Sequence, residues 1–286
     1  MKFSLELPIA SPDAIMTCAL AIEDAGFDAC FVTDHPFPSR EWLTTGGHET
    51  LDPFIALSFA AASTRRLRLH TNCLIPAYRN PYLTAKSVAT LDACSRGRVV
   101  LGVAVGYLQP EFEGLGVPYA DRGAQLDASL RAMKHAWADE TSDNVLTPKC
   151  VQQPHPPIWA GGNSAAAIRR AVAHGDGWSP FPASPRTAAA VDTASITDVP
   201  TLARGITRYH ELAAEAGSDG PLDVCFTPFS HPGHKQTVDP AALIAEAHEL
   251  AGIGVTWLAF HLPAPSVNEF CDTVADFGAR LQGIRT

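Results

Sequence analysis

The sequence predicts an α/β chain closed into a (β/α)8 TIM barrel, with irregular excursions after strands four and six. Three observations predict it. Eight short apolar runs alternate with longer stretches whose apolar residues recur at helical spacing. Prolines stand in the first turns of the helical stretches and glycines just past their ends. The 286 residues suit one large unit, because such barrels run to about 250 residues and beyond.

The elements follow in order. Lys2–Leu7 alternates apolar and polar residues and reads as the first strand. Its helix is Pro12–Ala25, capped by Ser11 and closed by Gly26. Ala29–Thr33 is the second strand, and Pro53–Ser63, capped by Asp52, is the next helix. Leu67–Thr71 and Pro81–Cys94 form the third pair, and Val99–Val103 and Arg122–Ala138 the fourth. Pro157–Ala160 leads into helix Ala165–His174, which Gly175 ends. Gly177–Ser179 is a very short sixth strand, followed by helix Pro200–Ala216. Leu222–Phe226 is strand seven, with helix Pro240–Ala251 before Gly252. Val255–Phe260 and Ser266–Leu281 complete the set. Glu140–Pro157 and Phe181–Val199 read as the irregular excursions. No repeat or low-complexity linker divides the chain, so one domain over residues 1–286 is expected.

Composition narrows the function. The chain is 46% hydrophobic and carries a net charge of -9. That disfavours nucleic acid as a partner, which needs a basic face. No window approaches the roughly 20 apolar residues of a membrane span. The start, MKFSLELP, reads as a strand rather than a signal peptide. The seven cysteines contain no CxxC pair, so neither a disulfide framework nor structural zinc is expected, and a reducing cytoplasm is the default.

The most telling stretch is Phe31–His35 (FVTDH), a buried strand that ends in an acid and an imidazole. Enzymes of this architecture build their sites at such strand ends. Taken alone, the pair reads equally as a turn Asp beside a packed His. The loops of the same mouth hold Asn72-Cys73, Val105-Gly106-Tyr107, Gly161-Gly162-Asn163, Trp178-Ser179, Thr227–His234 and His261. Gly161-Gly162-Asn163 precedes a helix, where free amides make an anion site; a tight turn with an Asn cap is the plain alternative. His70 reads as buried in its strand.

Several ordered motifs carry a resemblance. They are Glu23–Asp28 running into Val32–His35, Asn80-Pro81 with Lys86–Asp92 (KSVATLD), and Gly97–Gly106 with Glu111–Gly116 (EFEGLG). His155–Gly162 and Arg169–Trp178 follow. The set resembles the luciferase-like monooxygenase superfamily, in its coenzyme F420-dependent oxidoreductase branch. The resemblance implies a barrel with the coenzyme in its mouth and hydride transfer to or from a small organic substrate. Asp34 and His35 would contact the deazaflavin ring, with His35 stabilising charge. Asn72-Cys73 would form a non-proline cis peptide behind the ring. Ala104, Val105 and Gly106 would line the ring edge, with Tyr107 beside them. Gly161, Gly162 and Asn163 would hold the phosphate, and Trp178 would close the wall near the tail. Relatives usually form homodimers, so a homodimer is expected.

Departures from the pattern shape the substrate. Sugar-phosphate dehydrogenases of this branch carry a Glu proton donor where this chain has Tyr107, which can donate a proton but is a weaker acid, so Tyr107 joins His35 and Asp34 as the expected catalytic residues. Those dehydrogenases also carry a Trp where this chain has Ser39, with Trp42 out of register. A sugar phosphate is therefore not expected. Relatives that use FMN with molecular oxygen are the runner-up reading. A metal-dependent barrel hydrolase would draw on His35, His70, His231, His234 and His261, but the first strand lacks a His-x-His pair. No metal is expected. A non-catalytic binding protein is countered by the intact Asp34, His35 and glycine pair.

Overall fold

The structure is a computed structural model that describes residues 1–281 apart from 9, 139–140, 142, 219, 221, 232–238 and 263. Parts of both the Glu140–Pro157 excursion and the Thr227–His234 loop therefore lie outside the described residues, His234 included. Eight parallel strands close in sequence order: β1 (Lys2–Glu6), β2 (Ala29–Val32), β3 (Arg68–Leu74), β4 (Val99–Val103), β5 (Ile158–Gly161), β6 (Gly177–Ser179), β7 (Asp223–Phe226) and β8 (Trp257–Phe260). β1 pairs with β8, with Leu5 opposite Phe260.

The helices alternate with them: α1 (Pro12–Asp24), α2 (Arg40–Thr45), α3 (Pro53–Ser63), α4 (Pro81–Ser95), α5 (Gln109–Gly114) and α6 (Arg122–Ala138). α7 (Ala165–His174), α8 (Pro185–Ala190), α9 (Val199–Glu215), α10 (Pro240–Gly252) and α11 (Val267–Leu281) follow. Ser11, Asp52 and Asn80 cap their helices through side-chain oxygens, each before a proline. The glycine expectation holds only at Gly26, whose φ is 87°. Gly175 has an extended φ of -113°; its small size is what matters, since a Cβ would lie 2.9 Å from the Ala171 carbonyl. Gly252 is still helical, and the positive φ falls at Gly254.

Short elements escape the sequence reading. α2 and α5 lie in loops of the mouth, and the excursion after β6 folds into α8 with a bridge between Ala183 and Ile196. β3 runs three residues beyond its expected end, to Leu74, because a register shift between Thr71 and Leu74 lets it continue.

Strand alternation divides the core. Phe31, Val100, Trp159, Cys225 and Trp257 fill the barrel lumen, while Cys30, Val32 and Leu69 face the helices. His70 also sits in the lumen, fully buried as expected, with Nδ1 3.2 Å from Ser4 Oγ. Burial pushes its pKa down to about 3, so it stays neutral. Motif carboxylates clamp backbone. Glu23 accepts from the amides of Arg65, Arg66 and Leu67, and Asp92 from those of Val151 and Gln152. These residues carried much of the resemblance, and their work is to fix loop entry. No helix among the described residues is long and apolar enough to cross a membrane.

Candidate active site

A cavity of about 630 Å³ opens at the carboxyl ends of the strands. It runs from the loops after β2 to β4 toward the junction of β5, β6 and α7.

β2 delivers Asp34 and His35 to the mouth, and both line the cavity. Asp34 is only 3% exposed. Its carboxylate accepts from Arg79 Nη1 at 2.6 Å, Arg79 Nη2 at 2.9 Å and the Ile75 amide at 2.9 Å. Asp34 therefore anchors the His35 loop to the segment that follows β3. The His35 ring packs at a tilt of 41° against Trp42, with centroids 4.5 Å apart, and meets the edge of Tyr107 at 5.7 Å. Its Nδ1 lies 3.3 Å from Glu111 Oε2. Glu111 also accepts from the Tyr78 hydroxyl at 2.9 Å and the Phe37 amide at 3.3 Å.

Tyr107 lines the cavity beside His35. Burial and then the Glu111 charge push its pKa up to about 12, while a hydrogen bond from Trp42 acts the other way. It is a poor acid in this place. Glu6, at the end of β1, also lines the cavity, and burial pushes its carboxyl up to about 8. At neutral pH that carboxyl holds its proton.

The Asn72-Cys73 peptide is cis, and both residues line the cavity. Burial pushes the Cys73 thiol up to about 12, which keeps it an unreactive thiol. Ala104, Val105 and Gly106 line the next edge. Gly106 has φ 78°, and a Cβ there would lie 2.9 Å from the Phe112 ring. Gly161 and Gly162 form a cradle ahead of α7. At Gly161 a Cβ would meet Cys73 Sγ at 2.8 Å, so backbone itself forms the wall. The helix cap is Ser164, whose Oγ accepts from the Ala167 amide at 3.2 Å. Arg122 and Arg170 line this end.

Two expectations need correction. Asn163 is buried and does not line the cavity. Its amide group donates to the carbonyls of Phe181 and Ala194 and accepts from the Phe181 amide, so it pins the excursion after β6 instead of facing an anion. Trp178 also stays out of the cavity. Its ring packs against Gly205 and Tyr209 of α9, and its Nε1 donates to the Gly162 carbonyl at 2.8 Å. It holds the cradle from behind.

Sequence reasoning missed Glu6, Arg79 and Tyr78, and left Glu111 without a role. Glu6 was findable as a carboxylate ending a strand. Trp42 stood out of register in the sequence, yet the turn of α2 returns it to His35. Among the described residues, no three His, Cys, Asp or Glu side chains gather in a metal-binding arrangement. His231 and His261 do line the cavity together, 4.2 Å apart between centroids.

Comparison with known proteins gives the family. Residues 4–251 match the luciferase-like monooxygenase family. An uncharacterized protein of Mycobacterium tuberculosis is 32% identical over 248 residues, covering 81% of this chain and 77% of that protein. The F420-dependent glucose-6-phosphate dehydrogenase of Beutenbergia cavernae is 29% identical over 256 residues, covering 85% and 73%. The monooxygenase RslO1 from Streptomyces bottropensis superposes with a TM-score of 0.77 at 21% identity, each chain being covered in full, and so shares the fold. The chain belongs to the luciferase-like monooxygenase family, and it is an oxidoreductase.

Proposed function

We propose that the chain is a coenzyme F420-dependent oxidoreductase acting on a small organic substrate. One observation carries the reading: a buttressed imidazole, His35, and a glycine cradle at a helix N-terminus face one elongated cavity. The residues fit a flat tricycle with a phosphate tail. Ala104, Val105 and Gly106 would edge the ring, and Asn72 and Cys73 would back it. Gly161, Gly162 and the α7 amides, with Arg122 and Arg170 nearby, suit the phosphate.

The bound coenzyme would supply the hydride chemistry. The chain's residues orient and hold protons. Glu111 takes the Nδ1 side of His35, leaving Nε2 for the ligand. Glu6 is a neutral acid within the cavity and is the group placed to give or take a proton. That assigns the role once expected of Tyr107 to the better acid.

The deazaflavin reading draws support from the Thr33-Asp34-His35 pattern and from the named activity of the Beutenbergia relative. Use of FMN with oxygen is the second reading, favoured by the family match itself. Titration with oxidised F420 and, separately, FMN decides between them, with Trp fluorescence as the readout because Trp42 packs against His35. Tight F420 binding with weak FMN binding is expected; the reverse preference overturns the deazaflavin reading.

A further inference from the structure

The first and last helices of the barrel carry a pair of thiols outside the site. Cys18 on α1 is fully buried, and Cys271 on α11 is half-buried against the core. α1 follows β1 and α11 follows β8, so the two helices pack side by side across the closing seam and run the same way. One close approach sets their register. A Cβ at Gly278 of α11 would lie 2.7 Å from Ala25 Cβ, at the end of α1, and nearer still to the Ala25 carbonyl. Only glycine lets the two helices touch there. Cys18 precedes Ala25 by seven residues, and Cys271 precedes Gly278 by seven. Seven residues are nearly two turns, about 10.5 Å along parallel axes, and return to the same face. The two thiols accordingly meet, close enough to hydrogen-bond.

The pair is unequal. Cys271 is open to a small solute, whereas Cys18 is enclosed. Burial, and then the neighbouring Cys271, push the Cys18 thiol up to about 12, so it keeps its proton until its partner has reacted. Both rest as free thiols.

We propose that Cys18 and Cys271 form a peroxide-reactive dithiol, which closes to a disulfide that ties α1 to α11. The Cys271 sulfur attacks one oxygen of hydrogen peroxide. The O–O bond breaks, one water leaves, and Cys271 becomes a sulfenic acid. The Cys18 sulfur then gives up its proton and attacks the Cys271 sulfur. The S–O bond breaks, and the hydroxyl leaves with that proton as a second water. Two thiols lose two electrons, and one peroxide is reduced to two waters. The new bond bridges the seam where β1 meets β8 and closes a loop of nearly the whole chain, the case in which a cross-link restricts the unfolded state most. It stands apart from the cofactor reading above.

The full chain, reduced and then treated with stoichiometric hydrogen peroxide, tests this. A Cys94→Ser background removes the exposed thiol. Thiol titration in denaturant is expected to fall by two, with dithiothreitol restoring both. The melting temperature is expected to rise by about 5 °C or more. Peptide mapping should join the Cys18 peptide to the Cys271 peptide. Cys271→Ser should show none of these changes, and Cys18→Ala should stop at a sulfenic acid that dimedone traps on Cys271. Should the buried Cys18→Ala fail to fold, the half-buried Cys271→Ser decides alone. The dithiol is overturned if both thiols survive peroxide, if Cys271→Ser loses two thiols as the parent does, or if mapping joins other cysteines.

Discussion

His35 Nδ1 lies 3.3 Å from Glu111 Oε2, and Glu111 is 1% exposed. A carboxylate so placed fixes both the tilt of the imidazole and the nitrogen that carries its proton. Tyr78 and the Phe37 amide hold the carboxylate in turn, so loops after β2, β3 and β4 meet on one residue. Glu111→Gln keeps the size and loses the charge. Turnover is expected to fall about tenfold to a hundredfold, short of the 10²–10⁴ that loss of an acid–base group costs. Coenzyme affinity should change little, because Glu111 works through His35. Steady-state kinetics beside His35→Ala check this. Normal turnover in Glu111→Gln, with His35→Ala inactive, would remove the positioning role.

The Asp34–Arg79 pair makes a different demand. Asp34 is buried, while the Arg79 side chain is 20% exposed and also reaches Asp52 at 3.2 Å. Arg79→Met leaves the Asp34 carboxylate buried with only the Ile75 amide. Removing one member of a buried pair costs about 3–5 kcal/mol. Urea unfolding of Arg79→Met should read a loss toward that range, and Arg79→Met with Asp34→Asn should recover part of it. A loss below about 1 kcal/mol, the scale of a surface pair, would mean that solvent reaches Asp34.

The barrel was legible because strand and helix periods repeat, and because Ser11, Asp52 and Asn80 announce their helices locally. The site was legible only where chemistry coincided with a strand end, as at Asp34 and His35. Glu111 meets His35 from 76 residues away and Arg79 meets Asp34 from 45, and no local pattern encodes either meeting. Trp178 misled for a related reason. A three-residue strand has no clear alternation, so the sequence left open that Trp178 points toward α9. Asn163 looked like a phosphate ligand because its partners, Phe181 and Ala194, belong to the excursion least readable from sequence.

Glu6 carries a pH signature. Burial holds its carboxyl near 8, against about 4.3 in an unfolded chain. Between those values the native protein keeps a proton that the unfolded chain has lost. Stability therefore falls as pH rises through that window, and Glu6→Gln escapes the loss. Denaturation from pH 5 to 9 should find Glu6→Gln gaining on the wild type as pH rises. Turnover that needs the proton should decline in the wild type above about pH 8 and be low in Glu6→Gln throughout. A stability difference that does not change with pH would contradict the assignment.

Gly161 and Cys73 are matched in size. A Cβ at 161 would stand 2.8 Å from Cys73 Sγ, 3.3 Å from the Val103 carbonyl and 3.4 Å from Ala104 Cβ. The first contact is the severe one. Gly161→Ala is expected to cost about 1–3 kcal/mol, the usual range for overpacking. It should also weaken the coenzyme, since the cradle and the cis Asn72-Cys73 peptide bound the same cavity. Cys73→Ala removes the sulfur and should restore much of both losses in the double variant. The sum of the two single effects would then overstate the double, as expected for residues in contact. Thermal melts and coenzyme titration of the four proteins check this. Strict additivity would show that the two residues do not press on each other across the floor of the site.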